Sequence, residues 1–175
     1  MGSRLRQCHE ILRSFHEPLP VMGILTETLK ILEERELFPA STQRMLHERL
    51  SISLQALRQF PMQPLHGDAH VGNAMNTTRG LLWTDWEDAF SGPVEWDLAS
   101  VIWNARVLEE DHATANAVLN AYRDAGGSID EEAMRHAMVA RAVVMTAWYP
   151  ILYPDLTEVR RERLRRRLEW LEQVG

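Results

Sequence analysis

For most of the chain, apolar positions recur at three- and four-residue steps, and the exceptions fall in one central stretch. Leu5, Cys8, Ile11, Leu12 and Phe15 form the first stripe. It predicts a helix that stops before Pro18 and Pro20, because an internal proline removes an amide donor and clashes with the preceding turn. Ile24, Leu25, Thr28, Leu29, Ile31 and Leu32 predict a second helix that runs to Phe38. After Pro39, Ser41 is the expected N-cap of a third helix through Leu46, Leu50, Leu54 and Leu57, which Phe60-Pro61 closes.

From His66 the period changes. Ala74-Met75 and Leu81-Leu82-Trp83 are short apolar segments flanking Asn76-Thr77-Thr78-Arg79-Gly80, the pattern of a β-hairpin with a glycine-containing turn. One such hairpin brings Asn73 and Asp85 to the same end of two adjacent strands. A loop through Ser91-Gly92-Pro93 then leads to Asp97, the expected cap of a helix bearing Leu98, Val101, Ile102, Ala105 and Leu108. Asp111 opens a further helix that ends at Gly126-Gly127. Ser128-Ile129-Asp130-Glu131 has capping-box spacing ahead of a long helix from Glu131 to Trp148, ended by Pro150 and Pro154. A last helix from Thr157 carries Leu164, Leu168 and Leu171 toward the core. The fold class is therefore mainly α with one small β-hairpin (α+β). A single domain spans residues 1–175, with helices over 1–60 and 98–173 around a central segment, 66–99.

Composition narrows the classes. Hydrophobic residues at 45% and charged residues at 25% suit an ordinary globular protein and exclude disorder. A net charge of −6 argues against nucleic acid as a partner and favours a cationic small molecule. The single cysteine, Cys8, excludes an internal disulfide framework and suits a reducing, cytoplasmic setting. No apolar run approaches the roughly 18 residues of a membrane span, so no membrane partner is expected.

The chemistry concentrates in His66-Gly67-Asp68-Ala69-His70-Val71-Gly72-Asn73 and in Trp83-Thr84-Asp85-Trp86. Asp68 precedes Asn73 by five residues, and Asp85 follows on the far side of the hairpin. A kinase catalytic loop has this order and spacing: a base, a metal-binding Asn, then a second metal-binding Asp. Together with Trp83-Thr84-Asp85-Trp86-Glu87-Asp88-Ala89 and Gly92-Pro93-Val94-Glu95-Trp96-Asp97-Leu98-Ala99, this stretch resembles the successive signatures of the aminoglycoside phosphotransferase family. That family is the small-molecule branch of the protein-kinase-like fold and includes choline and homoserine kinases. The resemblance implies a kinase-like C-terminal lobe and transfer of the γ-phosphoryl group of ATP to a small-molecule hydroxyl. It further implies Asp68 as the catalytic base or hydroxyl-orienting residue, and Asn73 and Asp85 as ligands of Mg2+ against the ATP phosphates. His66 and His70 are expected to support the loop, Asp97 to anchor it, and Trp86, Glu87 and Asp88 to face the substrate.

Other readings attach to the same residues. Asp97 is equally a helix cap, and Glu87-Asp88 equally a solvated acidic turn. The remaining tryptophans read as core. Arg160, Arg161, Arg163, Arg165, Arg166 and Arg167, interleaved with Glu158, Glu162 and Glu169, read as a solvated, ion-paired helix face. His66, Asp68 and His70 alternate at period two, so a strand there would direct all three to one side, as a metal-dependent hydrolase requires. A non-catalytic binding or regulatory module that keeps the lobe is the further alternative.

Kinases of this fold hold ATP between the helical lobe and an N-terminal sheet lobe whose strand lysine contacts the phosphates. The only lysine here, Lys30, falls within a helical stripe and follows no glycine-rich loop. The N-terminal ATP-binding lobe is therefore expected to be absent, which leaves apolar surface near residues 1–20 and beside the hairpin. A homodimer or a separate N-lobe partner is expected to cover it.

Overall fold

The computed structural model describes residues 1–78 and 80–174. Arg79, which falls in the anticipated hairpin turn, lies outside the described residues. Three helices come first: α1 (Gly2–Leu12), α2 (Gly23–Glu34) and α3 (Ala40–Leu57). Strand β1 (Gln63–Leu65), a 3-10 turn (Val71–Asn73) and strands β2 (Ala74–Thr77), β3 (Gly80–Trp83) and β4 (Phe90–Gly92) follow. The rest is helical: α4 (Glu95–Val107), α5 (His112–Asp124), α6 (Glu131–Ala147), α7 (Tyr149–Leu152) and α8 (Glu158–Gln173).

Helix α6 is the centre of the molecule and packs against α3 and α4 most extensively, with α2 and α8 beside it. Beyond its first turns, where Glu131, Glu132 and Arg135 are exposed, the helix lacks the usual solvated face, and Ala137, Ala140, Ala142, Val143 and Ala147 are fully buried. Small side chains let the neighbouring helix axes come close. On α3, Leu46, Leu50 and Leu57 are fully buried, each stabilising by about 1.5–3 kcal/mol relative to exposure. Helices α1 and α5 pair on the other side and meet the loop segment through β1.

Two small antiparallel sheets form, one more than the sequence pattern suggested. The anticipated hairpin is β2–β3, with Ala74 opposite Trp83 and Thr77 opposite Gly80. The additional sheet pairs β1 with β4, setting Gln63 against Gly92 and Leu65 against Phe90. These strands have three residues each, too short for periodicity to register, and the sequence reading treated Ser91-Gly92-Pro93 as loop. Their pairing ties together the two ends of the 66–89 excursion.

Several helix boundaries also differ. Helix α1 stops at Leu12 and leaves Phe15 exposed. Helix α2 stops at Glu34 and does not reach Phe38, because the Gln43 side-chain amide donates to the Leu32 and Arg35 carbonyls, each at 2.5 Å, and takes over the helix end. Ser41 lies inside α3, whose N-cap is Pro39. At α6 the capping oxygen belongs to Asp130, which accepts from the amides of Glu132 and Ala133, and not to Ser128. The caps at Asp111 and Thr157 fall where the sequence put them.

In the α8 arginine run, Arg165 and Arg166 pair with Glu162 and Glu169 and Arg163 pairs with Glu110, all on the exposed face, but Arg167 departs from that expectation. Only 4% exposed, it lies over the rings of Trp103 and Tyr149 and donates to the Met145 carbonyl at 2.8 Å. Exposed apolar side chains gather at Ile11, Phe15 and Val21 and around the hairpin at Val71, Met75, Leu82 and Trp86. Among the described residues no helix is long and apolar enough to cross a membrane.

Candidate functional site

Asp97 sets the backbone of the central loop. Fully buried in the first turn of α4, it does not cap that helix: Oδ2 accepts from the His66 amide and Oδ1 from the Gly67 amide, both at 2.9 Å. His9 on α1 adds a hydrogen bond from Nε2 to Asp97 Oδ2 at 3.1 Å, and its Nδ1 pairs with the Tyr122 hydroxyl at 2.9 Å. Trp96 donates from Nε1 to the Gly67 carbonyl at 2.6 Å. Gly67 has φ +86°, a region where a Cβ would also collide with the Asp88 carbonyl oxygen. Three helices, α1, α4 and α5, thus act together on the peptide units of His66 and Gly67, and Asp68 follows directly after them.

Three side chains hold the Asp68 carboxylate. Arg141 Nη2 donates to Oδ1 at 2.5 Å, while His70 Nε2 and Asn73 Nδ2 both reach Oδ2, at 3.2 and 3.1 Å. Burial alone would raise its pKa, but the His70 hydrogen bond and the Arg141 guanidinium outweigh burial and hold the carboxyl well below the usual carboxylate range. Asp68 is therefore ionised at neutral pH. Arg141 was not singled out from the sequence. The available signal was a charged residue at a position of α6 whose helical neighbours, Ala137, Ala140 and Val144, are all buried.

Asn73 closes the 3-10 turn, and its Nδ2 also bonds the Asp68 carbonyl at 3.0 Å. Its carbonyl oxygen Oδ1 has no protein partner among the described residues. The backbone oxygen of Asn73 accepts from the Thr84 amide at 2.9 Å, so the hairpin delivers Asp85 directly after a residue bonded to Asn73. Asp85 is exposed and has φ +64°, a strained conformation for a non-glycine residue, and its carboxylate has no protein partner among the described residues. Asn73 and Asp85 therefore offer hard oxygen donors of the kind that Mg2+ takes.

His66 is fully buried. Its Nε2 donates to the Thr84 carbonyl at 2.9 Å and its Nδ1 accepts from the Asp68 amide at 3.3 Å, so both ring nitrogens serve to join the loop to the hairpin. This removes the basis for the hydrolase reading. Residues 66–70 form a bent loop and not a strand, and His66 has no nitrogen to offer a metal. Among the described residues no group of three His, Cys, Asp or Glu side chains is arranged to hold a metal ion. Trp86 packs on the His66 ring at 4.5 Å between centroids and donates from Nε1 to the Trp83 carbonyl at 3.1 Å.

A cavity of about 1020 Å³ opens beside Asp68, His70 and Arg141 and extends between α4, α5 and α6. Glu87 and Asp88 line its mouth, but Trp86 does not line it. Partial burial and the charges of Asp68 and Glu87 push the Asp88 carboxyl up. Trp103, Val118, Val144 and Trp148 give it an apolar wall, and the exposed Glu110 and Asp111 contribute further acidic groups. Its size and mixed lining suit a small organic molecule.

Fold and site together define a kinase-like C-terminal lobe. The sequence model of the phosphotransferase enzyme family (APH) matches residues 2–136, and the chain belongs to that family. A thiamine kinase of Escherichia coli O1:K1 / APEC is 39% identical over 61 residues, which is 33% of this chain and 22% of that protein. Among solved structures, the amicoumacin kinase hAmiN in complex with AMP-PNP, Ca2+ and Ami superposes with a TM-score of 0.75 at 16% identity, covering 98% of this chain and 57% of that one. The choline kinase LicA from Streptococcus pneumoniae gives a TM-score of 0.68 at 17% identity, covering 98% and 64%. The chain thus spans less than two thirds of the length of either solved kinase.

Proposed function

We propose that this chain is the catalytic lobe of an ATP-dependent phosphotransferase that transfers the γ-phosphoryl group to a hydroxyl of a small molecule. The observation that carries this reading is Asn73: its side-chain nitrogen holds the Asp68 carboxylate at 3.1 Å, while its backbone oxygen accepts from the amide of Thr84, the residue just before the exposed Asp85. One residue thereby registers a base against a hard-cation site. Asn73 and Asp85 would hold Mg2+. When bound, the metal neutralises phosphate charge and the nucleotide supplies the phosphoryl group.

The chain's own groups supply positioning. Asp68, ionised and held from both sides, accepts a hydrogen bond from the acceptor hydroxyl and aims its oxygen. A carboxylate with so low an affinity for protons takes the hydroxyl proton only late, as bonding to phosphorus develops, which suits a loose transition state. His66 and Asp97 keep the loop from shifting. Glu87, Asp88, Glu110 and Asp111 favour a cationic acceptor whose apolar part lies against Trp103 and Trp148. The thiamine, choline and amicoumacin kinases named above support this choice of acceptor class.

Lys30 is exposed on α2 and pairs with Glu34, far from a phosphate-binding role. The cation that contacts the ATP phosphates is therefore proposed to come from outside these 175 residues. The exposed apolar patch of Phe15, Val21, Val71, Met75, Leu82 and Trp86 is proposed to be covered by whatever carries it, either an N-lobe or a partner chain.

The test is transfer of label from γ-32P-ATP, with magnesium, to a panel of cationic and neutral hydroxyl compounds by the full-length natural protein. Labelled acceptor, lost on Asp68→Ala, is expected. A folded, magnesium-loaded protein that labels no acceptor would sink the reading.

A further inference from the structure

Arg141 is the one charged side chain buried on the central helix α6, 4% exposed, and its Nε has no protein partner. A buried, incompletely satisfied guanidinium costs stability, so its position needs a compensating reason. Among the described residues its ion-pair partner is Asp68, 73 residues earlier in the chain. Its plane rests beside the ring of Trp96, 5.4 Å from the centroid, and Trp96 in turn bonds the Gly67 carbonyl. Arg141 therefore touches the catalytic loop both through the carboxylate and through the aromatic ring that fixes the loop backbone.

An ionised carboxylate offers about two acceptor directions on each oxygen. On Asp68, Oδ2 is taken twice, by His70 and by Asn73, whereas Oδ1 is taken once, by Arg141. The remaining direction on Oδ1 is the one open to an acceptor hydroxyl. The same Arg141 also lines the cavity beside Asp68.

We propose that Arg141 is a positioning residue for phosphoryl transfer: it fixes Oδ1 of Asp68 as the oxygen that receives the acceptor hydroxyl and presents it to the cavity between α4 and α6. The inference rests on the phosphotransferase reading. A second consequence concerns the acceptor. A fixed guanidinium next to the reacting hydroxyl disfavours a positive charge there, so a cationic acceptor is expected to place its charge away from Arg141, against the acidic residues of the cavity lining.

A planar guanidinium, and not charge alone, is required, because the ammonium of a lysine has no plane to rest beside Trp96 while it holds one carboxylate oxygen. In the full-length protein, Arg141→Gln is expected to lower kcat about 100-fold, the loss typical of a small misplacement of a reacting group, with KM for ATP unchanged. Arg141→Lys is expected to recover only part of it. A kcat for Arg141→Gln within about twofold of wild type overturns the proposal, on a scale where one tenfold step is about 1.4 kcal/mol.

A second measurement needs no activity. Thermal midpoints of Arg141→Gln, Asp68→Asn and the double variant form a cycle, and contacting partners give non-additive losses. Additive losses overturn the clamp. Non-additive losses in a protein that phosphorylates nothing would support the clamp and sink the phosphotransferase reading, so the two failures are distinct.

Discussion

Asp97 accepts the amides of His66 and Gly67 with its two carboxylate oxygens, both at 2.9 Å, so a residue of α4 holds a loop that lies 31 and 30 positions earlier in the chain. Asp97→Ala leaves two buried amide donors unsatisfied, each costing roughly 1–3 kcal/mol. Urea unfolding is expected to show a loss of about 3 kcal/mol, and phosphoryl transfer should disappear with it. Asp97→Asn keeps one acceptor oxygen and should fall between.

Asp68→Ala tests the chemistry. It also leaves the buried Arg141 guanidinium without its ion-pair partner, so the thermal midpoint is expected to fall, and turnover is read at a temperature where the variant is still folded. Turnover is expected to fall about 10²- to 10⁴-fold, the usual contribution of a positioned base, with KM for the nucleotide nearly unchanged. Unaltered turnover would remove Asp68 from the reaction.

Asn73→Ala removes both the proposed ligand oxygen and the amide that holds Asp68 Oδ2. The magnesium concentration giving half-maximal rate is expected to rise at least about tenfold, a loss seen even for groups one contact removed from a metal. A metal titration superimposable on wild type would contradict the assignment.

Gly67→Ala tests the backbone. At φ +86° an alanine is strained by about 1–2 kcal/mol, and its Cβ would strike the Asp88 carbonyl. A clear drop in thermal midpoint is expected, together with loss of activity, and differential scanning calorimetry measures the first.

Alkaline pH should weaken the fold through α1 and α5. Burial and the Asp97 charge push the Cys8 thiol up to about 12, and burial pushes the Tyr122 phenol up to about 12. A raised folded pKa means that the folded state binds more protons than the unfolded one, so stability is intact below the unfolded value and falls as pH rises toward the folded value. For Cys8 that window runs from 9.0 to about 12, with a slope approaching roughly 1.4 kcal/mol per pH unit for one group. Urea midpoints at pH 8 and 10.5 measure it. A thiol reagent at pH 8 should label Cys8 only as fast as the protein opens.

Much of this molecule is legible in its sequence, and the reason is locality. The stripe of Leu46, Leu50, Leu54 and Leu57 and the caps at Asp111 and Thr157 depend on residues a few positions apart, so pattern and capping chemistry suffice to find them. Asp68 and Asn73 meet for the same reason, because a five-residue step within one loop preserves their relation. The short hairpin brings Thr84, and with it Asp85, back to Asn73. The sequence also put apolar surface near the first twenty residues and beside the hairpin, where Phe15, Val21, Val71 and Leu82 are exposed.

What the tertiary structure alone decided is which distant groups these residues meet. Asp97 reads equally as a cap until α4 is docked, and only then do its oxygens meet the loop amides and those amides lose access to water. Strands β1 and β4 have no periodicity of their own and exist only as a pair. Arg167 looks like its solvated neighbours until Trp103 and Tyr149 close over it. Arg141 is a lone charge in an apolar helix until packing carries it to Asp68. The sequence by itself determined which groups could do the chemistry; burial, which leaves each buried polar group to find a specific partner, decided how they are held.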